Sequence, residues 1–290
     1  MKIIEPKVEL WKQGDDAKAH VARCARVCYG KEIGNDEATV KRLLDSRHWS
    51  MFRHESVYAI IPVHERELKD YPLLVLSSPY IKTHTYDGNV YVATNGQFIL
   101  DEFYPKFIEL INRYRVTEDE FSNTEFGFDM MRYTFCVDTQ ISTSRELNRV
   151  SPNSIAEKST RYVYEDGSIC RPHWMSDEIA THFNEEPLFA DWIDDNIEHQ
   201  KAYHYISSCN DSFFNYKALI DEFGMHRQDA RGVLPLDTAT RCVYTYSINE
   251  WRHIIDLRYY GITGKPHPNA KIIAGMIRNN LMELGYDFRD

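Results

Sequence analysis

Arg149, Glu157, Ser159 and Arg161 fall within one short run, Arg149-Val150-Ser151-Pro152-Asn153-Ser154-Ile155-Ala156-Glu157-Lys158-Ser159-Thr160-Arg161-Tyr162. Two guanidiniums, a carboxylate and a hydroxyl so spaced suit a phosphorylated small molecule with a polar ring. Planar guanidinium forks match phosphate oxygens in pairs, while Glu and Ser read donors and acceptors on a ring edge. A solvated loop with a surface ion pair is the competing reading, and local composition leaves both open. The net charge of −10 argues against a nucleic-acid polymer as partner, because a phosphate backbone calls for an excess of Lys and Arg. Phosphate binding is then expected to be local, by clustered arginines in an acidic protein, which fits a nucleotide.

The same run resembles the signature of the flavin-dependent thymidylate synthases: Arg-His-Arg, seven residues, then Ser, commonly continuing to Ser-x-Arg-Tyr. In that register Arg149 is the first arginine and Ser159 the terminal serine, with Ser154, Glu157, Arg161 and Tyr162 also matching. The centre departs, since Val150 and Ser151 stand where the family has His and Arg. The resemblance extends along the chain. Ala25-Arg26-Val27-Cys28-Tyr29 is similar to Ala-Arg-Val-Ser-Tyr, and His48 to His54 to His-x-Ser-x-x-Glu-His with Arg53 for the glutamate. Asn95-Gly96-Gln97 sits where Asn-x-Arg is usual, and Ala230 to Pro235 is similar to Ala-Arg-x-x-Leu-Pro. Glu250-Trp251 through Leu257-Arg258 follows the family's path into its last substrate-contacting arginine.

The resemblance implies a chemistry. A one-carbon unit from methylenetetrahydrofolate is attached to C5 of dUMP and reduced by FADH2, with NADPH as reductant and no cysteine nucleophile. The protein's share is then placement and electrostatics. Arg161, with the backbone around Glu157 and Ser159, is implied to hold the phosphate or sugar, and Arg231 to add charge from a neighbouring subunit. Arg258 is implied to face the uracil ring and stabilise negative charge on its carbonyls. Arg149 is implied near the ring and flavin, oriented by Glu146 on the same helical face. His54, Val150, Ser151, Asn249 and His253 occupy flavin positions, and Asn249 and His253 lie one helical turn apart. Ser247, Gln97 and Lys271 also differ from the family's usual residues, so the substitutions gather at flavin and folate positions. Weakened FAD binding is the expectation. Two alternatives follow: a folate-dependent pyrimidine nucleotide hydroxymethyltransferase, and a non-catalytic nucleotide-binding homologue that has lost flavin. The family's assembly implies a homotetramer.

The elements that must position these groups read as an α+β fold, one domain over residues 1–290 with a mixed or antiparallel sheet flanked by helices. Strands are expected at 2–11, 54–64, within 126–142 and at 239–247. Helices are expected at 15–29, 37–46, 94–114, 143–150, 248–259 and 270–284, with long helical patterning over 184–223. Asp87-Gly88 marks a hairpin turn within 71–92. The stripe Phe98, Ile99, Phe103, Phe107, Leu110 and Ile111 reads as core packing, as do Tyr203, Ile206, Phe213, Phe214 and Leu219. Six cysteines, at 24, 28, 136, 170, 209 and 242, form no C-x-x-C pair and complete no zinc site. Free thiols in a reducing cytoplasm are expected. No signal peptide and no bilayer-spanning apolar run is visible, so no membrane partner is expected.

Overall fold

The computed structural model describes residues 1–66, 68, 78–101, 103–185 and 195–288. Its strands are β1 (Lys2–Ile4), β2 (Lys7–Trp11), β3 (Ser56–Pro62), β4 (Lys82–Tyr86) and β5 (Asn89–Asn95). After these come β6 (Arg115–Val116), β7 (Arg132–Gln140), β8 (Ile155–Glu157), β9 (Ser168–Cys170) and β10 (Ala239–Ser247). The central sheet runs β2-β7-β10-β8 and a second runs β4-β5-β3-β6; both are antiparallel and flanked by helices. A parallel pair, β1-β9, stands apart.

The central sheet follows from side-chain alternation in β7 and β10, which pair along their full lengths. Successive strand residues point to opposite faces. Phe135, Val137, Cys242, Tyr244 and Tyr246 form an apolar face against Trp251, Ile254 and Ile255 of the helix Ile248–Ile255 and Ile273, Ile277 and Leu281 of the helix Pro268–Glu283. Trp251 is fully buried, meets Phe135 edge-on at 5.1 Å, and donates its indole N–H to the Tyr133 carbonyl at 3.1 Å. Such a residue combines a large buried area with a satisfied donor. Cys136 and Val243, on the other face, pack with Cys24 and Val27 of the helix Ala17–Val27. Thr134 and Thr245, two residues along each strand, lie on that same face.

Several sequence expectations are redrawn by the structure. The single strand over 2–11 is cut at Pro6, and its halves join different sheets; proline has no N–H to give a ladder. The helix over 94–114 is two helices, Gly96–Leu100 and Pro105–Arg113, because Thr94 and Asn95 end β5 and Pro105 opens a new first turn. Phe103 therefore lies between helices and is exposed, whereas Phe98, Phe107, Leu110 and Ile111 are buried as expected. Phe214 is exposed too: Phe213 already faces the core, and the next residue on a helix turns about 100° away. The hairpin is present as β4 and β5, with Asp87 and Gly88 at φ 44° and 74°, the pair of positive values a two-residue I′ turn requires. Residues 71–77 of the hairpin region, and 186–194 of the 184–223 patterning, lie outside the described residues. The remainder of the latter falls into the helices Asp177–Glu185 and Ile197–Asp221. All six cysteines are free, and among the described residues no helix is long and apolar enough to cross a membrane.

Candidate active site

Glu146 lies in the last turn of the helix Ile141–Leu147, which leaves β7 directly, and its carboxylate sits between two arginines. Arg149 Nη2 lies 3.3 Å and Arg258 Nη2 3.1 Å from Glu146 Oε2. Arg258 Nε also donates to the Glu146 carbonyl at 2.6 Å, and Arg149 Nη1 to the Asn148 and Arg145 carbonyls at 2.9 and 3.2 Å. The expected Glu146–Arg149 pair is present. The Arg258 link was not legible in the sequence, because 112 residues separate the partners. Arg258 reaches Glu146 from a π-helical turn, Asp256–Tyr260, where a continuous helix to 259 was expected; Gly261 at φ 71° ends it. Burial, with the Arg149 charge beside it, moves the Arg258 pKa below the ordinary guanidinium value, against the pull of Glu146.

A second group gathers at the end of β8. Ser159 N–H donates to the Cys28 carbonyl at 3.0 Å, and the Ser159 hydroxyl accepts from Arg161 N–H at 3.3 Å. Arg231 Nη1 donates to Thr160 Oγ1 at 3.2 Å, and Arg227 Nη1 to the Tyr162 carbonyl at 2.7 Å. Arg161 lies over the Tyr162 ring at 5.4 Å, and Tyr162 stacks on Tyr29 at 5.7 Å. Arg161, Arg227 and Arg231 are exposed, and no carboxylate pairs with any of them among the described residues. Arg231 thus stands beside this segment of its own chain. Arg227 and Thr160 were missed, and only proximity in sequence to Arg231 and Arg161 hinted at them.

Glu157 is held apart from the arginines. Its Oε1 accepts from Ser144 Oγ at 3.0 Å and from Thr240 Oγ1 at 3.1 Å, tying β8 to β10 and to the helix carrying Glu146.

The flavin-assigned residues are dispersed. Asn249 and His253 are both exposed, a turn apart on the helix Ile248–Ile255, which begins in a capping box between Ser247 and Glu250. Val150 is packed against the apolar core and Ser151 is exposed. His54 is wholly buried; its Nδ1 is 2.8 Å from Thr245 Oγ1, and its Nε2 has no hydrogen-bond partner among the described residues. Burial, helped by nearby His20, Arg132 and Arg53, lowers its pKa to about 3, so the ring is neutral. The Nε2 of His54 is thus a buried polar atom without a partner among the described residues, and Asn249 and His253 offer an exposed amide and imidazole, donor and acceptor groups of the kind a polar ring edge takes. None of the five residues brings a fixed positive charge for a diphosphate. The Arg53 guanidinium donates to Gln97 Oε1 and the Asn153 carbonyl, both at 2.6 Å, and to the Tyr80 hydroxyl at 3.0 Å. It therefore braces the altered signature from the side. Lys271 instead lies over the Tyr259 ring at 5.4 Å.

Residues 122–283 match the family model described as Thymidylate synthase complementing protein. The chain belongs to that family. A Flavin-dependent thymidylate synthase from Thermosipho africanus (strain TCF52B) is 30% identical over 135 residues, covering 46% of this chain and 57% of that protein. The chain thus spans little more than half the length of that curated relative. Two solved structures of a UMP/dUMP methylase PolB from Streptomyces cacaoi, bound with 5-Br dUMP and with 5-Br UMP, are 18% and 17% identical. Each aligns with 98% of this chain, and with 93% and 92% of theirs, at TM-scores of 0.46 and 0.47. As a member of the thymidylate synthase complementing protein family, the chain carries both arginine groups within the matched region.

Proposed function

We propose that this protein binds dUMP or a closely related pyrimidine nucleotide and transfers a one-carbon unit to C5 of its ring, methylenetetrahydrofolate being the carbon donor. One observation carries the nucleotide part: Arg231 at Thr160, Arg227 at the Tyr162 carbonyl and Arg161 over the Tyr162 ring gather on one segment with no paired carboxylate among the described residues. In an otherwise acidic chain these uncompensated guanidiniums suit a local phosphate, and each charged hydrogen bond there contributes about 1.5–3 kcal/mol. The name of the curated relative, a flavin-dependent thymidylate synthase, supports the choice of ring. Arg258, held by Glu146, is the group that would meet the pyrimidine carbonyls, where a guanidinium lowers the cost of negative charge as C5 attacks. Arg149 shares its carboxylate and fixes the pair.

Reduced flavin, replenished from NADPH, would supply the hydride that completes a methyl group. His54, Asn249 and His253 would hold its ring edge by hydrogen bonds, with Val150 and Ser151 bordering it. Without a fixed cation from these positions, the flavin is weakly held and dissociable. That same lack favours one further reading, in which water captures the methylene adduct at C5 and the product is a hydroxymethyl nucleotide. The assembly proposed is a homotetramer of single-domain chains working in the cytoplasm, the six free thiols supporting a reducing compartment. Light scattering should report about four chains, as the family resemblance implies.

The deciding test is mass analysis of the product from dUMP, methylenetetrahydrofolate, flavin and NADPH. A methylated nucleotide supports the first reading and a hydroxymethylated one the second. Unaltered dUMP, together with no dUMP binding by calorimetry, sinks both.

A further inference from the structure

Four buried side chains form an unbroken hydrogen-bonded line across the face of the central sheet that meets the helix Ala17–Val27. His54 Nδ1 is 2.8 Å from Thr245 Oγ1, Thr245 Oγ1 is 2.7 Å from Thr134 Oγ1, and Thr134 Oγ1 is 3.1 Å from His20 Nε2. The four residues are 0%, 0%, 5% and 4% exposed, so water does not compete for these bonds. β7 and β10 make the middle link, because Thr245 and Thr134 are direct cross-strand partners. The helix Ala17–Val27 supplies one end and the segment before β3 the other.

Each hydroxyl has a single proton to give, and two hydroxyls must serve three links. Only two arrangements satisfy every link without leaving a buried hydroxyl proton unused. In one, His54 Nδ1–H donates to Thr245, Thr245 to Thr134, and Thr134 to His20 Nε2. Both imidazoles then carry their proton on Nδ1, and His54 Nε2 is an acceptor. In the other, every bond reverses, both imidazoles carry the proton on Nε2, and His54 Nε2 is a donor. A doubly protonated ring would remove the choice of tautomer at its end, because its nitrogen in the line could then only donate. Burial opposes it at both ends: the His20 pKa is lowered to about 4 by burial with Arg23 nearby, and that of His54 to about 3. The charged groups facing the line, Arg23 at one end and Arg132 and Arg53 at the other, also disfavour a proton there.

We infer that Thr245, Thr134 and His20 are positioning residues that force His54 and His20 into the same tautomer, and so decide whether the unpartnered Nε2 of His54 gives or accepts a hydrogen bond. The competing donor is Cys24, whose Sγ lies 3.8 Å from His20 Nε2. Were the thiol to donate there, the two histidines would hold opposite tautomers. The shorter contact from the Thr134 hydroxyl favours the line, since a hydroxyl is the stronger donor. The consequence for flavin rests on the function proposed above; the shared tautomer does not.

Solid-state NMR of the full-length protein, labelled at histidine and assigned with His20→Phe and His54→Phe, reads the tautomers directly. The expected result is one neutral tautomer, the same for both residues, unchanged in Cys24→Ala. Thr245→Val should release the His54 tautomer and weaken flavin about tenfold, the loss of one hydrogen bond, with dUMP affinity unchanged and Thr245→Ser restoring both. Opposite tautomers in the wild type, or a His54 tautomer indifferent to Thr245→Val, would overturn the inference. Shared tautomers in a wild type that binds no flavin would leave the line standing and remove the flavin reading instead.

Discussion

The two arginine groups of this protein are built in opposite ways. Arg149 and Arg258 share one carboxylate, Glu146, and spend further donors on backbone carbonyls. Arg161, Arg227 and Arg231 have hydroxyl, carbonyl and aromatic neighbours but no paired carboxylate among the described residues. Two guanidiniums on one carboxylate keep their orientation and a single net positive charge, so much of their long-range attraction for anions is lost. An uncompensated one keeps the attraction and waits for a partner to order it. The first arrangement suits contact with a neutral ring whose charge develops during reaction, and the second suits a phosphate that arrives charged.

The largest expected effect breaks the second group. Arg161→Ala combined with Arg231→Ala should weaken dUMP binding by about 3–6 kcal/mol, two charged hydrogen bonds at about 1.5–3 kcal/mol each. Calorimetry reads this as a loss of a hundredfold or more. Equal affinity in the double variant would mean that the exposed arginines are only surface charge.

Acid separates both groups from the scaffold beneath, because guanidiniums do not titrate in the accessible range. His20 and His54 do. Their folded values, about 4 and about 3, lie below the ordinary 6.5, so below pH 6.5 the unfolded chain takes up protons that the folded chain refuses. Stability is therefore complete above about pH 6.5 and declines as pH falls towards 4 and then 3. His20 alone contributes on the order of 3 kcal/mol to that decline. Chemical denaturation of wild type and His20→Gln across this window should show a shallower acid slope in the variant. Identical slopes would place the acid sensitivity elsewhere.

Glu146→Gln sharpens the contrast at the first group. The pair with Arg149 is more than a third exposed on both sides, so solvent screening limits its worth and stability should change by less than about 1 kcal/mol. Turnover should fall several-fold as Arg258 and Arg149 lose their common anchor, while the dUMP dissociation constant stays within about threefold. A fall in affinity with turnover intact would reverse the roles given to the two groups.

The smallest effect is expected from restoring the signature with Val150→His and Ser151→Arg. Arg53 already donates to the Asn153 carbonyl beside that stretch, so a second guanidinium there meets like charge. Flavin fluorescence titration should show less than about a threefold gain. A large gain would show that the site was open and lacked only the cation.

Strand alternation in β10, the Asp87-Gly88 turn and the last helix, expected over 270–284 and found at Pro268–Glu283, were all legible locally, because side-chain period and turn chemistry act over a few residues. So were the membership of the family and the Glu146–Arg149 pair, which lie within contiguous sequence. Pro6 and Pro105 were visible in the chain, yet what each break did to the fold depended on which sheet or helix the flanking residues joined. Tertiary structure alone brought Arg258 to Glu146, Arg53 to the carbonyl of Asn153, and His54 through two threonines to His20. Each of these contacts joins residues whose separation along the chain carries no periodic signal. Side chains far apart in sequence meet only when the packing of whole sheets and helices has fixed their distance, and hydrogen bonds of about 3 Å have no tolerance for less.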